Sequence, residues 1–450
     1  MKNSFSLLTG LRSVKTPPMA GESRQQQVIE FLEELFSEVG RRDVGVRLWN
    51  GTMWPDETPR RAVLELNHPD ALAAMFRPGT ELALAEAYLF NDYDITGDIE
   101  CVFGLSNALA GATSGWRKKL RAAMMLRRMP QPPRRTNGRH RPARLIGRPH
   151  SIERDRQAVA YHYNVSNEFY KLWLDRNMVY SCAYFRSPDQ EIDTAQEQKL
   201  EHICRKLRLR PGQRLLDIGC GWGGLAIYAS RHYGVEATGI TLSDAQADWA
   251  NARIAEAGLS DQARIRVMDY REVTPANSGM FDALVSVGMF EHVGVANMPV
   301  YFGQALQLLK PGGVFLNHAI ARRTNDLAVH GPSFMNTYVF PDGELTPIGT
   351  ALQVAEESGL EVRDVESLRE HYTLTLRHWV RRLESHHDEA LRIVDEPTYR
   401  TWRLYMAGAG HNFATWAVSV YQTLLAKPDS LGRTGLPLTR DDWYVGHATY

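Results

Sequence analysis

Residues 214–229, RLLDIGCGWGGLAIYA, decide the fold of this 450-residue chain. The segment opens on a short apolar run, which predicts a buried strand over Arg214–Ile218. Glycines come next, and apolar residues then recur at helical spacing, which predicts a helix over Gly223–Tyr233. A strand that turns through glycines into a helix is typical of a doubly wound, mostly parallel α/β sheet.

The flanking sequence repeats this alternation of strand and helix. Such alternation indicates a parallel sheet covered by helices on both faces. Outside the segment above, we predict helices over Thr194–Leu207, Asp244–Ala257 and Met298–Leu308, and strands over Glu236–Thr241, Ala263–Met268, Ala283–Val287 and Val314–Ile320.

The glycine-rich turn indicates which ligand the sheet binds. Gly219, Gly221 and Gly224 satisfy the GxGxxG spacing, which alone fits a dinucleotide site. Asp217 stands at the end of the strand, where a carboxylate would repel a pyrophosphate but attract a cationic amino group. The next strand ends at Thr241 without the acid that binds the ribose of NAD. We therefore predict an S-adenosylmethionine (SAM) site and keep a nicotinamide-dependent oxidoreductase as the alternative.

Other strand ends are expected to contact the same ligand, because open parallel sheets bind ligands at the carboxyl ends of their strands. Asp269 and Tyr270 close the third strand, where folds of this kind contact adenine. Since the ribose acid is missing, we expect weaker contacts from Thr241, Ser243 and Gln246.

Three more polar residues fall near this crevice. Glu291 follows the fourth strand, and His318 lies near the end of the fifth, so both are expected to face the crevice. Cys182 precedes the sheet and is positioned to cover it. Taken alone, each has a structural alternative: a carboxylate at a helix start, a satisfied core histidine and a small buried hydrophobe, respectively.

Composition excludes several classes of protein. Hydrophobic residues make up 44% and charged residues 23% of the chain, which excludes a disordered or collagen-like protein. No apolar run is long enough to span a bilayer, and we expect no secretory signal at the N-terminus. Four cysteines in a chain of this length predict reduced thiols in the cytoplasm. Because they lack CxxC spacing, we predict no structural metal site.

Positive charge is concentrated in one segment, although Lys+Arg and Asp+Glu number 52 each. Residues 101–152 contain twelve basic residues and no acid, and a helix is predicted over Gly115–Met129. A basic amphipathic helix favours an anionic membrane surface as its partner. A plain proline-broken linker is the main alternative, and nucleic acid is the least favoured partner. The predicted apolar side of the helix carries Trp116, Leu120, Met124 and Met125.

The basic segment divides the chain into three predicted parts. Residues 1–112 form a smaller α+β domain that docks on lipid or membrane, 113–150 a basic proline-rich linker, and 151–450 the catalytic domain. The elements predicted in the first part are helices Gln25–Val39 and Gly79–Phe90 and strands Val44–Leu48 and Ala62–Leu66.

Seven motifs in a fixed order resemble the cyclopropane-fatty-acyl-phospholipid synthase family of SAM-dependent methyltransferases. The resemblance covers about residues 155–425, and it is specific because no single motif carries it. TMWP at 52–55 and the segment 84–100 also resemble the front domain of the longer, phospholipid-acting members. The seven motifs are MVYSCAYF (178–185), LDIGCGWGGLA (216–226), GITLS (239–243), DYR (269–271), SVGMFEHVG (286–294), YVFPDGEL (338–345) and HYTLTLRHW (371–379).

The resemblance implies a bound bicarbonate ion that acts as a base. Its implied ligands are Cys182, Glu291, His318, the backbone of Ile320, and Tyr372. Glu291 would orient the ion through the bicarbonate proton, while His318 and Tyr372 donate hydrogen bonds. The SAM contacts implied by the motifs are Tyr180, Ser181, Asp217, Gly219, Gly221, Thr241, Gln246, Asp269 and Tyr270.

The implied reaction is methyl transfer to the cis double bond of an unsaturated phospholipid, followed by closure of a cyclopropane ring. A methylene or methyl-branched product and a non-catalytic lipid-binding protein are the alternatives. We further expect a homodimer at the inner face of the membrane, on its cytoplasmic side. Aromatic faces that either shield the carbocation or belong to the core are Tyr163, Phe169, Tyr184, Tyr338 and Phe340.

Overall fold

The structure is a computed structural model that describes residues 20–36, 43–77, 80–105, 116–129, 141–163, 165–325 and 332–444. The chain divides into two compact units, residues 1–134 and 135–450. The division therefore falls within the basic segment of the sequence. Within the described residues, no helix has both the length and the apolar character needed to cross a membrane.

The N-terminal unit contains a four-stranded sheet in the order β2-β1-β3-β4. Strands β1 and β3 are parallel, and the other two pairs are antiparallel. Helix α1 buries Val28, Phe31, Leu32 and Phe36, which recur at helical spacing along one face. The elements are α1 (Ala20–Phe36), β1 (Val44–Arg47), β2 (Met53–Trp54), β3 (Ala62–Leu66), α2 (Ala71–Phe76), α3 (Glu81–Leu89), β4 (Tyr93–Gly97) and α4 (Trp116–Arg128).

The basic helix α4, predicted from the sequence, is attached to this unit. Arg121 forms an ion pair with Glu34 of α1, with 2.9 Å between Nη1 and Oε2. Arg77 Nη2 donates hydrogen bonds to the carbonyls of Leu126 and Met129, each at 2.5 Å. These carbonyls lie at the C-terminal end of α4, where helix carbonyls lack intrahelical partners. The segment 116–129 is therefore a packed helix and not an extended linker.

The side of α4 that is buried differs from the predicted apolar side. Leu126 and Met129 are buried, whereas Leu120 and Met124 are 52% and 49% exposed. The side chain of Trp116 lies outside the described residues. Two large apolar side chains of a basic helix therefore face solvent.

The C-terminal unit contains a seven-stranded sheet in the order β10-β11-β9-β8-β5-β6-β7. Strands β5 to β9 are parallel, which confirms the predicted doubly wound α/β class. Strand β11 runs antiparallel to both of its neighbours, β9 and β10. The strands are β5 (Arg214–Ile218), β6 (Glu236–Thr241), β7 (Ala263–Val267), β8 (Phe281–Val287), β9 (Leu309–Arg322), β10 (Glu361–Ser367) and β11 (Val418–Ala426).

Helices cover the sheet and bury one apolar cluster against each face. Strand order reverses at β5, which has β6 on one side and β8 on the other, and this is the position where such sheets bind ligands. The helices are α5 (Ile152–Tyr163), α6 (Asn167–Lys171), α7 (Ile192–Lys206), α8 (Gly224–Tyr233), α9 (Asp244–Glu256), α10 (Pro275–Ser278), α11 (Met298–Leu308), α12 (Ile348–Glu357), α13 (Arg369–Ser385), α14 (His387–Ile393), α15 (Glu396–Ala414) and α16 (Asp441–Tyr444).

Candidate active site

The glycine-rich turn after β5 leaves room for a ligand at the switch point. Gly219 has a φ of 78°, and a Cβ there would lie 2.7 Å from Cβ of Met289. Gly221 has a φ of 53° and open space where a side chain would be. Both positions favour glycine, since other residues rarely adopt positive φ. The backbone can therefore approach a ligand closely at this turn.

A cavity opens at this turn. Helix α5 contributes Asp155, Val159 and Tyr163 to its wall. All nine residues that the motifs assign to SAM line this cavity: Tyr180, Ser181, Asp217, Gly219, Gly221, Thr241, Gln246, Asp269 and Tyr270.

Asp217 is 3% exposed at the carboxyl end of β5. Burial raises its pKa to about 7, because the ionised carboxylate is poorly solvated, and the charge of Lys199 partly opposes this effect. A cation bound next to Asp217 would favour the ionised form. The site therefore suits a positively charged group such as an amino acid ammonium.

Side-chain hydrogen bonds organise the end of the cavity where the sequence predicts adenosine contacts. Thr241 Oγ1 donates to Gln246 Oε1 at 2.8 Å, which links the end of β6 to the start of α9. Arg271 binds both carboxylate oxygens of Asp269, at 2.6 and 2.7 Å. Arg271 also donates to Asp155 Oδ2 at 2.7 Å. This arginine therefore fastens α5 over the cavity, a role that the sequence did not reveal although the motif DYR contains the residue.

The predicted catalytic residues Glu291 and Ile320 are in contact. Glu291 Oε1 accepts a hydrogen bond from the backbone N–H of Ile320 at 2.7 Å. The resemblance assigns the backbone of Ile320 to bicarbonate, and here the N–H of that backbone holds the Glu291 carboxyl. Within the described part of the chain, Glu291 Oε2 is buried and has no hydrogen-bond partner. Burial raises the pKa of Glu291 to about 7, and the Ile320 hydrogen bond opposes the rise.

His318 lies two residues before Ile320 on β9 and is 2% exposed. Gln422 on β11 pairs with His318 across the two strands, and its amide Nε2 donates to His318 Nδ1 at 3.3 Å. An N–H donor at Nδ1 requires the proton of the neutral ring to sit on Nε2. His318 Nε2 is itself buried with no hydrogen-bond partner among the described residues. Burial, together with the charges of Lys199 and Lys206, lowers the pKa of His318 to about 3, so the ring is neutral.

Cys182 and Tyr372 complete the set. Cys182 is fully buried, and its thiol contacts the carbonyls of Ala183 at 3.3 Å and Leu368 at 3.6 Å. Burial raises the pKa of the thiol far above its usual value, which keeps it protonated. Burial also raises the pKa of Tyr372, and the negative charge of Glu291 raises it further. Tyr372 therefore lies within electrostatic range of Glu291.

The catalytic cluster adjoins the cavity through shared residues. Tyr163 and His292 both line the cavity, and His292 directly follows Glu291 in the chain. The negative charge of Glu291 contributes to the raised pKa of Tyr163. The Tyr180 hydroxyl lies 3.2 Å from that of Tyr405, another neighbour of Glu291. Tyr163, His292 and Tyr405 thus connect the cavity to the surroundings of Glu291.

Two of the five predicted aromatic shields lie at this site. Tyr163 lines the cavity, and Phe340 contacts the ring of Tyr405 with 5.5 Å between centroids. Phe169 is buried against other aromatic rings, and Tyr338 packs on Phe334. Tyr184 lies between His202 and His371. Sequence reasoning missed Lys199, Arg271, Tyr405 and Gln422, and only Arg271 falls in a motif that had been tied to the ligand.

Comparisons with known proteins agree with this architecture. The profile of the mycolic acid cyclopropane synthetase family matches residues 150–423. A probable fatty acid methyltransferase of Pseudomonas putida is 39% identical over 402 residues, which cover 89% of this chain and 95% of that protein. The cyclopropane-fatty-acyl-phospholipid synthase of Escherichia coli K12 is 35% identical over 266 residues, or 59% of this chain and 66% of that one.

Solved structures show the same family. The cyclopropane synthase MmaA2 of Mycobacterium tuberculosis superimposes with a TM-score of 0.58 at 32% identity, covering 60% of this chain and 98% of that one. The mycolic acid cyclopropane synthase CmaA1, complexed with S-adenosylhomocysteine (SAH), superimposes with a TM-score of 0.56 at 30% identity, covering 60% and 97%. The predicted resemblance is confirmed, and the nicotinamide alternative is wrong. The chain belongs to the mycolic acid cyclopropane synthetase family and is a SAM-dependent methyltransferase.

Proposed function

We propose that the protein methylates the cis double bond of an unsaturated phospholipid acyl chain and closes it to a cyclopropane. The observation that carries this proposal is that Glu291 Oε2 and His318 Nε2 are buried without hydrogen-bond partners among the described residues, while Glu291 is held by the N–H of Ile320, two residues after His318 on β9. Unpartnered buried polar atoms are costly, so such a pair favours a small polar ligand between them.

The residues present fit a bicarbonate ion. Glu291 Oε2 can accept the bicarbonate proton, and His318 Nε2–H can donate to an oxygen, because Gln422 fixes the ring tautomer. The hydroxyl of Tyr372 is kept protonated by its raised pKa and is a further donor. Bound bicarbonate would supply a base for the proton released on ring closure.

The proposed reaction consists of methyl transfer followed by ring closure. The π electrons of the alkene form a bond to the methyl carbon, the bond from that carbon to the sulfonium sulfur breaks, and SAH leaves. The resulting carbocation loses one proton from the new methyl group, and the freed electron pair closes the ring. Tyr163, which lines the cavity, and Phe340, which contacts the ring of Tyr405, offer aromatic faces that exclude water and stabilise a cation by about 2 kcal/mol.

The test is mass spectrometry of acyl chains after the full chain is incubated with SAM and cis-monounsaturated phospholipid vesicles. We expect a product that is one CH2 heavier and has no remaining double bond. A matched pair of variants accompanies it: Glu291→Gln should lose product, and Glu389→Gln, at an exposed position on α14, should not. A wild-type protein that binds SAH but gives no heavier acyl chain would refute the proposal.

Methyl transfer without ring closure is the second candidate function. It is favoured by the name of the Pseudomonas putida relative, a probable fatty acid methyltransferase that matches nearly the whole chain. The same assay separates the two candidates. A product one CH2 heavier that still takes up hydrogen over a catalyst would identify the methylene-forming reaction.

We also propose that the N-terminal unit docks on an anionic membrane surface through α4. Leu120 and Met124 are exposed on this helix, and Arg127 and Arg128 are exposed beside them. Apolar side chains flanked by cations suit the boundary of an anionic bilayer, where each cation contributes about 1 kcal/mol. Arg121 is a poor choice for neutralisation, because it is paired with Glu34.

Vesicle sedimentation tests this docking surface. The double variant Leu120→Ser/Met124→Ser and the double variant Arg127→Gln/Arg128→Gln should each bind less to vesicles that contain phosphatidylglycerol. Activity on detergent-dispersed lipid should be unchanged. Equal sedimentation of both variants and the wild type would refute the docking role. The homodimer and the inner-membrane location stay predictions, which analytical ultracentrifugation and cell fractionation would test.

A further inference from the structure

Lys199 on α7 is a buried lysine that lines the cavity. The residue is 1% exposed, and its Nζ donates a hydrogen bond to Ser181 Oγ at 2.8 Å. A buried ammonium is costly unless charges and hydrogen bonds compensate for the lost water. Among the described residues, Ser181 is the hydrogen-bond partner of Nζ, so two of its three N–H groups can serve a ligand.

The charged residues that line the cavity indicate that this lysine binds an anionic group of a ligand. Of the described residues that line the cavity, Lys199 is the only lysine or arginine. The acids there are Asp155, Asp217 and Asp269, and Arg271 binds two of them, Asp155 and Asp269. Asp217 and Lys199 remain as one anionic and one cationic side chain, and the charge of each shifts the pKa of the other. An amino acid carries the complementary pair of charges, one ammonium and one carboxylate.

We propose that Lys199, with the Ser181 hydroxyl, binds the α-carboxylate of SAM and SAH, while Asp217 receives the α-ammonium. Ser181 Oγ accepts from Lys199, which leaves the single hydroxyl proton of Ser181 available to donate to the carboxylate. The inference rests on the SAM-binding role proposed for this cavity. It adds the cation that the sequence did not identify.

The ionisation of Lys199 agrees with this role. Burial lowers its pKa to about 8, and the charges of Asp175 and Asp217 limit the decrease. Below pH 8 the free protein holds the ammonium, and an added carboxylate would stabilise it further. Affinity for the carboxylate should therefore decrease as the pH rises above 8.

Calorimetric titration with two ligands tests the assignment. SAH has the amino acid, whereas 5′-methylthioadenosine has the same adenosine and thioether without it. We expect Lys199→Met to weaken SAH binding about tenfold to hundredfold, as expected for loss of a charge-assisted hydrogen bond, and to change methylthioadenosine binding less than twofold. Lys199→Arg should retain part of the SAH affinity, and Lys171→Met, at an exposed position, should change neither.

The unaltered protein provides a check that does not depend on folding of a variant. Wild type should bind decarboxylated SAH at least tenfold more weakly than SAH. Equal affinity of wild type for these two ligands would overturn the proposal, as would unchanged SAH binding by Lys199→Met. A wild type that binds methylthioadenosine but shows no preference for SAH would also refute it. Failure to bind any of the ligands would instead remove the SAM role of the cavity on which the proposal rests.

Discussion

Replacing Gln422 by methionine tests whether this residue positions His318 for catalysis. Methionine has nearly the same shape but cannot donate to Nδ1, so the 3.3 Å hydrogen bond from Gln422 Nε2 is lost. His318 Nδ1 then becomes a buried acceptor without a partner, which costs about 1–3 kcal/mol. Without this hydrogen bond, nothing on β11 holds the neutral ring in the Nε2–H form, and the Nδ1–H tautomer becomes more populated.

The magnitude follows from this change of tautomer. If the hydrogen bond favours the Nε2–H form by about 1–2 kcal/mol, its loss lowers the ratio of the Nε2–H to the Nδ1–H form roughly 5- to 30-fold, and kcat should fall by up to that factor. KM for SAM and the affinity for SAH should be unchanged, since neither Gln422 nor His318 lines the cavity. If Gln422 had only a structural role, the variant would be less stable, but kcat would not fall while KM stayed unchanged.

The assay combines steady-state kinetics with nitrogen-15 NMR of the histidine ring. In wild type the NMR signal of His318 should report a proton on Nε2, and in Gln422→Met a shift toward Nδ1. Thr423→Val is the matched control, because Thr423 is the next residue of β11 and its side chain points to the opposite face of the sheet. A kcat for Gln422→Met within twofold of wild type, with the tautomer unchanged, would falsify the reasoning.

Four further predictions concern the cavity and the catalytic carboxyl. Glu291→Gln should lower kcat at least 100-fold while SAH affinity in calorimetry stays within threefold; normal turnover would exclude the assigned role. Because the carboxylate form must accept the bicarbonate proton and the pKa of Glu291 is raised to about 7, kcat should rise between pH 6 and 8; a flat pH profile in wild type would contradict this. Gly219→Ala should abolish SAH binding in calorimetry, since its Cβ would lie 2.7 Å from Met289 Cβ at a φ of 78°. Asp155→Ala removes one Arg271 contact that fastens α5, so SAH should bind about tenfold more weakly and the Tm should fall by a few degrees; unchanged values would show that the contact is dispensable.

Much of the C-terminal fold was predictable because its signals are local. The strand Arg214–Ile218 and helix Met298–Leu308 occur with the predicted bounds, and the helix after the glycine turn begins one residue later than predicted. Strands β10 and β11 were not predicted. The edge strand β10 carries several charged residues, as exposed sheet edges often do, and so lacks the apolar alternation that identifies a strand.

The candidate site was predictable in its parts but not in its contacts. The motifs supplied Glu291 and His318, yet no local pattern indicated that Gln422, 104 residues away, lies beside His318. Lys199 resembled any other helical lysine because its burial depends on what packs around α7. Cys182 and Tyr372 were assigned to one site only through the family resemblance, because their spacing in the sequence does not indicate it.

The amino-acid sequence by itself determined the strand–glycine–helix unit, the alternation that builds the parallel sheet and the acid at the end of β5, because each depends on neighbouring residues and on backbone geometry. Three features depend on the tertiary structure: which atoms of the described residues are buried without partners, how Arg271 fastens α5, and the hydrogen bond from Lys199 to Ser181. Burial and charge are collective properties: they depend on all the groups that exclude water around an atom, and those groups come from distant parts of the chain. The raised pKa of Glu291 and the neutral ring of His318 therefore exist only in the folded protein.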